Sequence, residues 1–396
     1  MNAHPVTECS AATDRQLAPS FRGAWMALAI FGVSRLIMLM GFVFSVTYVK
    51  PSTAPGLWNI STAWWRYLLR FDSAYYLDIA RQGYAYNGNP LQMQNIVFFP
   101  GYPLMVRLAA WVLPVSLPFS AIFVSNLCAV GAIVLLYGLI SRLWGRDVAL
   151  VTVALVSFFP TSLFLSAAYS EAIALLFTTA ALTFLFRGRL ALASVCAGCL
   201  SATRPIGFVL AVPLAYEVWL RTGRRFSWRF LGYAGAAAVT AASGLIAFGF
   251  YCWIRFHDPL AFLHAQAAWR EAGGTGGLAA WRHLKGGLRD PGLLYQPNFN
   301  DGWFFLAFLV ITIAAWRRFP AALNLYTAAI LVALIVTRVF AEPGFISMNR
   351  YLLLVFPCMT GVALLAGRRL ALLICAPLAA LLLIYSALFA QWQWAG

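Results

Sequence analysis

Residues able to do acid–base or phosphate chemistry are scarce in this chain, so their positions are informative. Only twelve of the 396 residues are acidic. Two of them, Asp72 and Asp78, fall in the stretch Arg70-Phe71-Asp72-Ser73-Ala74-Tyr75-Tyr76-Leu77-Asp78-Ile79-Ala80-Arg81-Gln82-Gly83-Tyr84. Its sequel is Phe98-Phe99-Pro100-Gly101-Tyr102-Pro103. A positioned carboxylate can take a proton from a hydroxyl. Aromatic rings interleaved with Pro and Gly sit on a fixed, irregular backbone, and suit a membrane interface or contact with a sugar or lipid. Farther along come Tyr169-Ser170-Glu171, Arg204-Pro205 and Asn349-Arg350. An arginine at such a place can bind phosphate. Each also has a plainer structural use. Asp72 can cap a helix over 73–82, Glu171 can favour a helix start through the dipole, and Arg350 can snorkel to the interface.

The elements that must position these residues are membrane helices. The chain is 62% hydrophobic and 10% charged, with a mean hydropathy of +0.79, against roughly 45–50% apolar and 25% charged for a soluble domain. The reading is an all-α polytopic membrane protein. Residues 1–22 form a cytoplasmic tail and 23–396 a single transmembrane domain. Eleven spans are expected, at about 24–49, 119–141, 147–166, 169–186, 190–203, 206–220, 230–253, 302–316, 321–340, 350–366 and 370–391. The short basic turns, from Arg142/Arg146 to Arg368/Arg369, then all fall on the cytoplasmic side. The first non-cytoplasmic loop, about 50–118, carries Asp72. Pro103–Leu113 is too short to cross and reads as an interfacial helix. A second long loop on the same face spans about 255–300, with His257, His264 and His283.

The helix after Asp72 should place Asp72, Tyr75, Tyr76, Ile79 and Gly83 on one face, and Ala74, Asp78, Arg81 and Gln82 on the other. Asp78 should face polar surroundings. Arg35, inside the first span, must face the protein interior or a polar cavity. Cys196-Ala-Gly-Cys199 lies in an apolar helix and reads as small-residue packing, not a metal site. The net charge of +16 comes from arginines set as topology signals, so it does not indicate nucleic-acid binding. From the residues alone the hypothesis is group transfer from a lipid phosphate at the non-cytoplasmic face. A transporter or flippase of lipid-linked intermediates is the alternative, although such proteins concentrate polar groups at mid-depth. A non-enzymatic scaffold is a third reading.

Phe71-Asp72, Tyr76, Ile79-Ala80 and Gly83-Tyr84, followed by Phe98-Phe99-Pro100-Gly101-Tyr102-Pro103, resemble the PIG-V type of mannosyltransferase. That family belongs to the GT-C glycosyltransferases, which use polyprenyl-phosphate sugars. Ser166-Ala-Ala-Tyr-Ser-Glu171, Thr203-Arg-Pro-Ile-Gly207 and Asn349-Arg-Tyr-Leu352 match in the same order. The resemblance implies a GT-C fold with interfacial helices in the first external loop. It also implies inverting transfer of a sugar, mannose by family, from a polyprenyl phosphate to a lipid or glycan hydroxyl, with membrane lipids around it. Asp72 would be the base, and Tyr76, Phe99, Tyr102, Glu171, Arg204 and Arg350 substrate-binding, with Arg35 and Arg338 as lesser cations. No metal or other cofactor is implied. Phe71 stands where tryptophan is usual. The segment from Tyr84 to Phe98 is longer than in eukaryotic members, which points to a different acceptor. The short polar tail points to a bacterial-type homologue in the inner membrane, its site facing the periplasm or cell exterior.

Overall fold

The computed structural model describes residues 21–50, 64–268, 297–340 and 347–395. Residues 1–20 of the expected tail, His283 with most of the second long loop, and the side chain of Arg338 lie outside the described residues. Every regular element among the described residues is helical. Four helices are long and apolar enough to cross a membrane: α1 (Phe21–Tyr48), α4 (Leu117–Trp144), α9 (Trp228–Phe256) and α14 (Phe356–Ala390). The other apolar segments are shorter, so helix length does not carry a count of eleven spans.

Several expected spans are broken, and proline or glycine explains most of the breaks. The segment expected at 147–166 is α5 (Arg146–Phe158) followed by a tight 3-10 turn at Pro160–Leu165. Pro160 lacks an N–H, and Phe159 before it turns extended at ψ 138°. After α6 (Glu171–Phe186) and α7 (Leu190–Thr203), Pro205 does the same. A 3-10 segment, Pro205–Leu210, precedes α8 (Ala211–Arg221). α14 breaks at Gly367 (φ 71°), beside Arg368 and Arg369. The expected 350–366 segment is thus the short helix α13 (Met348–Leu352) and the first part of α14.

α2 (Ser73–Gln82) and α3 (Gly101–Val112) fill the first long loop. α3 has twelve residues, about 18 Å of rise against a hydrocarbon core of about 30 Å. It leaves Leu104, Leu108 and Trp111 exposed on one side and buries Tyr102 and Val106 on the other, as an interfacial helix would. Gly101 makes its docking possible. A Cβ there would lie 2.5 Å from Thr203 Cγ2 and 2.9 Å from the Ala202 carbonyl oxygen. The bare backbone therefore seats the start of α3 against the end of α7, next to Arg204. α7 in turn packs on α9 through small residues. A Cβ on Gly198 would meet Ser243 Oγ and the Thr240 carbonyl oxygen at 2.5 Å, which gives the Cys196–Cys199 stretch its packing role.

The main core gathers side chains from α1, α4, α5, α6, α7 and α14, with α11 (Pro297–Ala315) and α12 (Ala321–Leu334) on its flank. A second, smaller core is separate. It joins Ile96 and Phe99 to Phe248 and Cys252 of α9 and to Phe262 of α10 (Ala261–His264).

Candidate active site

Asp72 precedes α2 as expected, but its side chain caps nothing there. The carboxylate turns to Arg350 instead, whose Nη1 donates to Oδ2 at 2.9 Å. A charge-assisted bond outweighs one to a neutral N–H. The backbone is fixed by Tyr169. Its hydroxyl accepts from the Asp72 N–H at 3.1 Å and donates to the Arg70 carbonyl at 2.9 Å. Between those two contacts Phe71 sits at φ 50°, a left-handed conformation that costs a non-glycine residue about 1–3 kcal/mol. Its ring packs against Phe389, Trp392 and Trp394, which holds the turn.

Glu171 opens α6 and is the hub. Its Oε1 accepts from Arg350 Nε at 2.6 Å and from Arg204 Nη2. Arg204, extended before Pro205, also donates through Nε to Ser170 Oγ at 3.2 Å. Ser170 Oγ lies 3.0 Å from the Tyr76 hydroxyl. Arg350 lies in α13, whose first N–H, from Met348, donates to Asp301 Oδ2 at 2.9 Å. The result is a row of alternating charge, Asp72–Arg350–Glu171–Arg204, formally neutral. Aromatic rings wall it. Arg350 Cζ lies 4.8 Å from the rings of Phe164 and Tyr169 and 5.3 Å from Trp394, and Arg204 Cζ lies 4.6 Å from Tyr351.

The row is least exposed at Glu171, inside it, and most exposed at Asp72, one of its ends, at 2% and 13%. Buried charges survive only when paired, and this row pairs all four. Two groups keep unused capacity: Glu171 Oε2 and Arg204 Nη1 are buried without a hydrogen-bond partner. Asp72 Oδ1 takes no hydrogen bond among the described residues, and Asp72 is the most exposed of the four side chains.

The other sequence candidates lie elsewhere. Tyr76 touches the row through Ser170 and is otherwise walled by Phe98 and Tyr102, with ring centroids 5.1 Å away. Burial, then the Glu171 carboxylate, pushes its phenol above the ordinary tyrosine range, so it remains a neutral hydroxyl. Tyr102 is fully buried and donates to the Ala121 carbonyl at 2.8 Å. Phe99 belongs to the second core, 4.9 Å from Phe248. Asp78 accepts from Asn95 Nδ2 at 2.8 Å. Ala74, expected on the polar face of α2, is buried. Arg35 is tied down by neutral acceptors, among them the Ser162 carbonyl at 2.7 Å and Ser162 Oγ at 2.8 Å, so it clamps α1 to the turn after α5. Among the described residues no group of three or more His, Cys, Asp or Glu gathers as metal ligands.

Sequence reasoning missed Asp301, Trp392 and Trp394. None of the three falls in a motif that the sequence singles out.

Long apolar helices around a largely buried row of ion pairs make this an integral membrane protein. Residues 44–267, more than half of the chain, match the family model described as Mannosyltransferase (PIG-V), and the chain belongs to that family. A search of curated proteins finds no match. Among solved structures it is similar to the Archaeoglobus fulgidus oligosaccharyltransferase. The form tethered to an acceptor peptide gives a TM-score of 0.46 at 15% identity, over 93% of this chain and 55% of that one. The apo form gives 0.47 at 14%, over 93% and 56%. The form in complex with an inhibitory peptide and a dolichol-phosphate gives 0.43 at 14%, over 95% and 57%. The chain spans a little over half the length of those proteins.

Proposed function

We propose that this protein is a membrane mannosyltransferase that moves a sugar from a polyprenyl-phosphate donor to a lipid or glycan hydroxyl, at the non-cytoplasmic face of a bacterial inner membrane. The observation that carries the reading is Asp72, the most exposed side chain of the row, with one carboxylate oxygen held by Arg350 and the other taking no hydrogen bond among the described residues. In this reading the acceptor oxygen attacks the anomeric carbon and its proton passes to Asp72 Oδ1. The bond from that carbon to the phosphate oxygen breaks, and the electron pair leaves with the polyprenyl phosphate. One displacement inverts the anomeric centre.

The charges support this order of events. Before reaction the two carboxylates balance the two arginines. Once Asp72 holds a proton, Arg204 and Arg350 face Glu171 alone, and the row carries one net positive charge as the phosphate gains its negative one. Stabilisation that grows along the reaction is the kind that speeds it. Arg204, with its unused Nη1, and Arg350 are the cations proposed for the phosphate. Tyr76, Phe99 and Tyr102 serve by packing the platform from which Asp72 acts.

The test is transfer by the purified full chain from polyprenyl-phosphate mannose to a panel of mannoside and glycolipid acceptors, with the product linkage read by NMR. A product of inverted anomeric configuration is expected. Retention of configuration, or no transfer to any acceptor, would contradict the reading. A reporter near Asn87 should map outside the cytoplasm.

A further inference from the structure

A second polar cluster lies past the far end of α2. α9 ends at His257, which is left-handed at φ 57°. Asp258 follows, and its Oδ1 accepts from the Leu260 N–H at 3.0 Å, which shapes the turn into α10. Its Oδ2 accepts from the Tyr86 hydroxyl at 3.1 Å and bonds His264 Nδ1 at 2.8 Å. Tyr86 comes from the segment after α2, which is braced by its own amides. Asn95 Oδ1 accepts from the Ala85 N–H at 3.0 Å, and Gln94 Oε1 from the Asn87 N–H at 2.8 Å. The two segments enclose an open cavity of about 730 Å³, lined by Tyr86, Pro90, Asp258, Leu263, His264 and Ala267 among others. That volume lies within the roughly 300–1,000 Å³ typical of small-ligand sites.

The hydrogen-bonding capacity left over selects the ligand. The bond from Nδ1 to Asp258 leaves His264 Nε2 for a second hydrogen bond. The Tyr86 hydroxyl, having given its proton to Asp258, has only lone pairs to offer, and the carboxylate accepts throughout. Oxygen acceptors beside an imidazole suit the hydroxyl groups of a carbohydrate, which both donate and accept. No lysine or arginine is among the described lining residues. Leu263, Pro90 and Ala267 supply apolar surface for the C–H faces of a ring. Aromatic side chains of the second core, Phe99 and Phe262 among them, pack beneath the two segments.

We infer that this cavity binds a neutral carbohydrate, a sugar unit of the acceptor distant from the hydroxyl that reacts. The inference rests on the glycosyltransferase reading in that clause alone; the carbohydrate site stands on its own geometry. α2 runs ten residues from Ser73 to Gln82, about 15 Å along its axis. A glycan of a few sugars, its reacting end at Asp72, lies along α2 and ends here. The segment carrying Tyr86 thereby sets which acceptors are long enough to be held.

The experiment is saturation-transfer NMR on the full chain in nanodiscs, with methyl α-mannoside and a linear mannotriose as probes and inorganic phosphate as the competitor. Three variants are compared: Tyr86→Phe, His264→Ala and Ala267→Trp. Mannotriose should bind about tenfold more weakly to Tyr86→Phe and His264→Ala than to the parent, since each removes one polar group. Ala267→Trp, which fills the cavity and leaves the Asp258 bonds alone, should abolish the signal. Unchanged melting temperatures verify folding. Equal mannotriose binding by parent and Ala267→Trp, or competition by phosphate, overturns the inference. If the parent binds mannotriose at the cavity but transfers no sugar, the proposed function fails and the carbohydrate site stands. If it transfers sugar with the same acceptor KM after Ala267→Trp, the site fails and the function stands.

Discussion

Glu171 and Asp258 are both carboxylates held by several donors, yet they are held for different ends. Glu171 is 2% exposed and takes two guanidinium groups on one oxygen. Its surroundings belong to the main core, and nothing in the row can lose a charge without exposing its neighbour's. Asp258 sits at the surface of the second core, with a phenol and an imidazole as partners and an open cavity beside it. The first arrangement suits a site whose charge balance must shift only when a proton moves. The second suits recognition of a neutral group that comes and goes. The same side chain thus acquires opposite character from partner charge and burial.

The contrast can be broken from the charged side first. Glu171→Gln leaves two buried guanidinium groups sharing one carboxylate, a loss of about 3–5 kcal/mol. The melting temperature should drop sharply, and an unchanged one would show that the row is not held by charge. Next, Arg350→Lys keeps the charge but cannot reach Asp72 and Glu171 together. We expect about a 100-fold fall in kcat with a nearly native melting temperature, read from single-turnover transfer. Tyr169→Phe removes the hydroxyl that ties the Asp72 N–H to the Arg70 carbonyl. It should cost about 1–3 kcal/mol and lower kcat more than the donor KM.

The smallest effect lies at the second core. Burial pushes the Asp258 carboxyl up, but bonds from His264, the Leu260 N–H and Tyr86 outweigh it and hold the group below the usual carboxylate range. A lowered folded value means that the stabilisation is present above the ordinary aspartate pKa of about 3.9 and is lost as the pH falls below it. The amount is under about 1 kcal/mol for so exposed a clasp. Hydrogen-exchange protection factors over 258–265 should therefore fall at acid pH, and Asp258→Asn should flatten that dependence.

Much of this was legible beforehand. Counting basic turns led to the expectation of Asp72, Glu171, Arg204 and Arg350 on one face, and the structure brings the four side chains into one row. That pairing could not be read, because Arg350 lies 278 residues from Asp72 and 179 from Glu171. Arg35 had to face the interior. Which acceptors would saturate it depended on the carbonyls freed where α5 gives way to a 3-10 turn at Pro160. The aromatic motif was the hardest to divide. Phe98, Phe99 and Tyr102 are alike in composition, but Phe98 stacks on Tyr75 at 4.9 Å, Phe99 turns to the second core and Tyr102 to α4. Trp394 carries no spacing signal at all, since it reaches Arg350 only through the fold.

In the proposed reaction Asp72 takes the acceptor's proton, and Asp78 supplies the internal control six residues away, bonded to Asn95 and outside the row. Transfer from polyprenyl-phosphate mannose should be measured for the parent, Asp72→Asn and Asp78→Asn, each verified as folded by its melting temperature. The account predicts a loss of about 10²–10⁴-fold for Asp72→Asn and near-parental turnover for Asp78→Asn. Near-parental turnover by folded Asp72→Asn would contradict it.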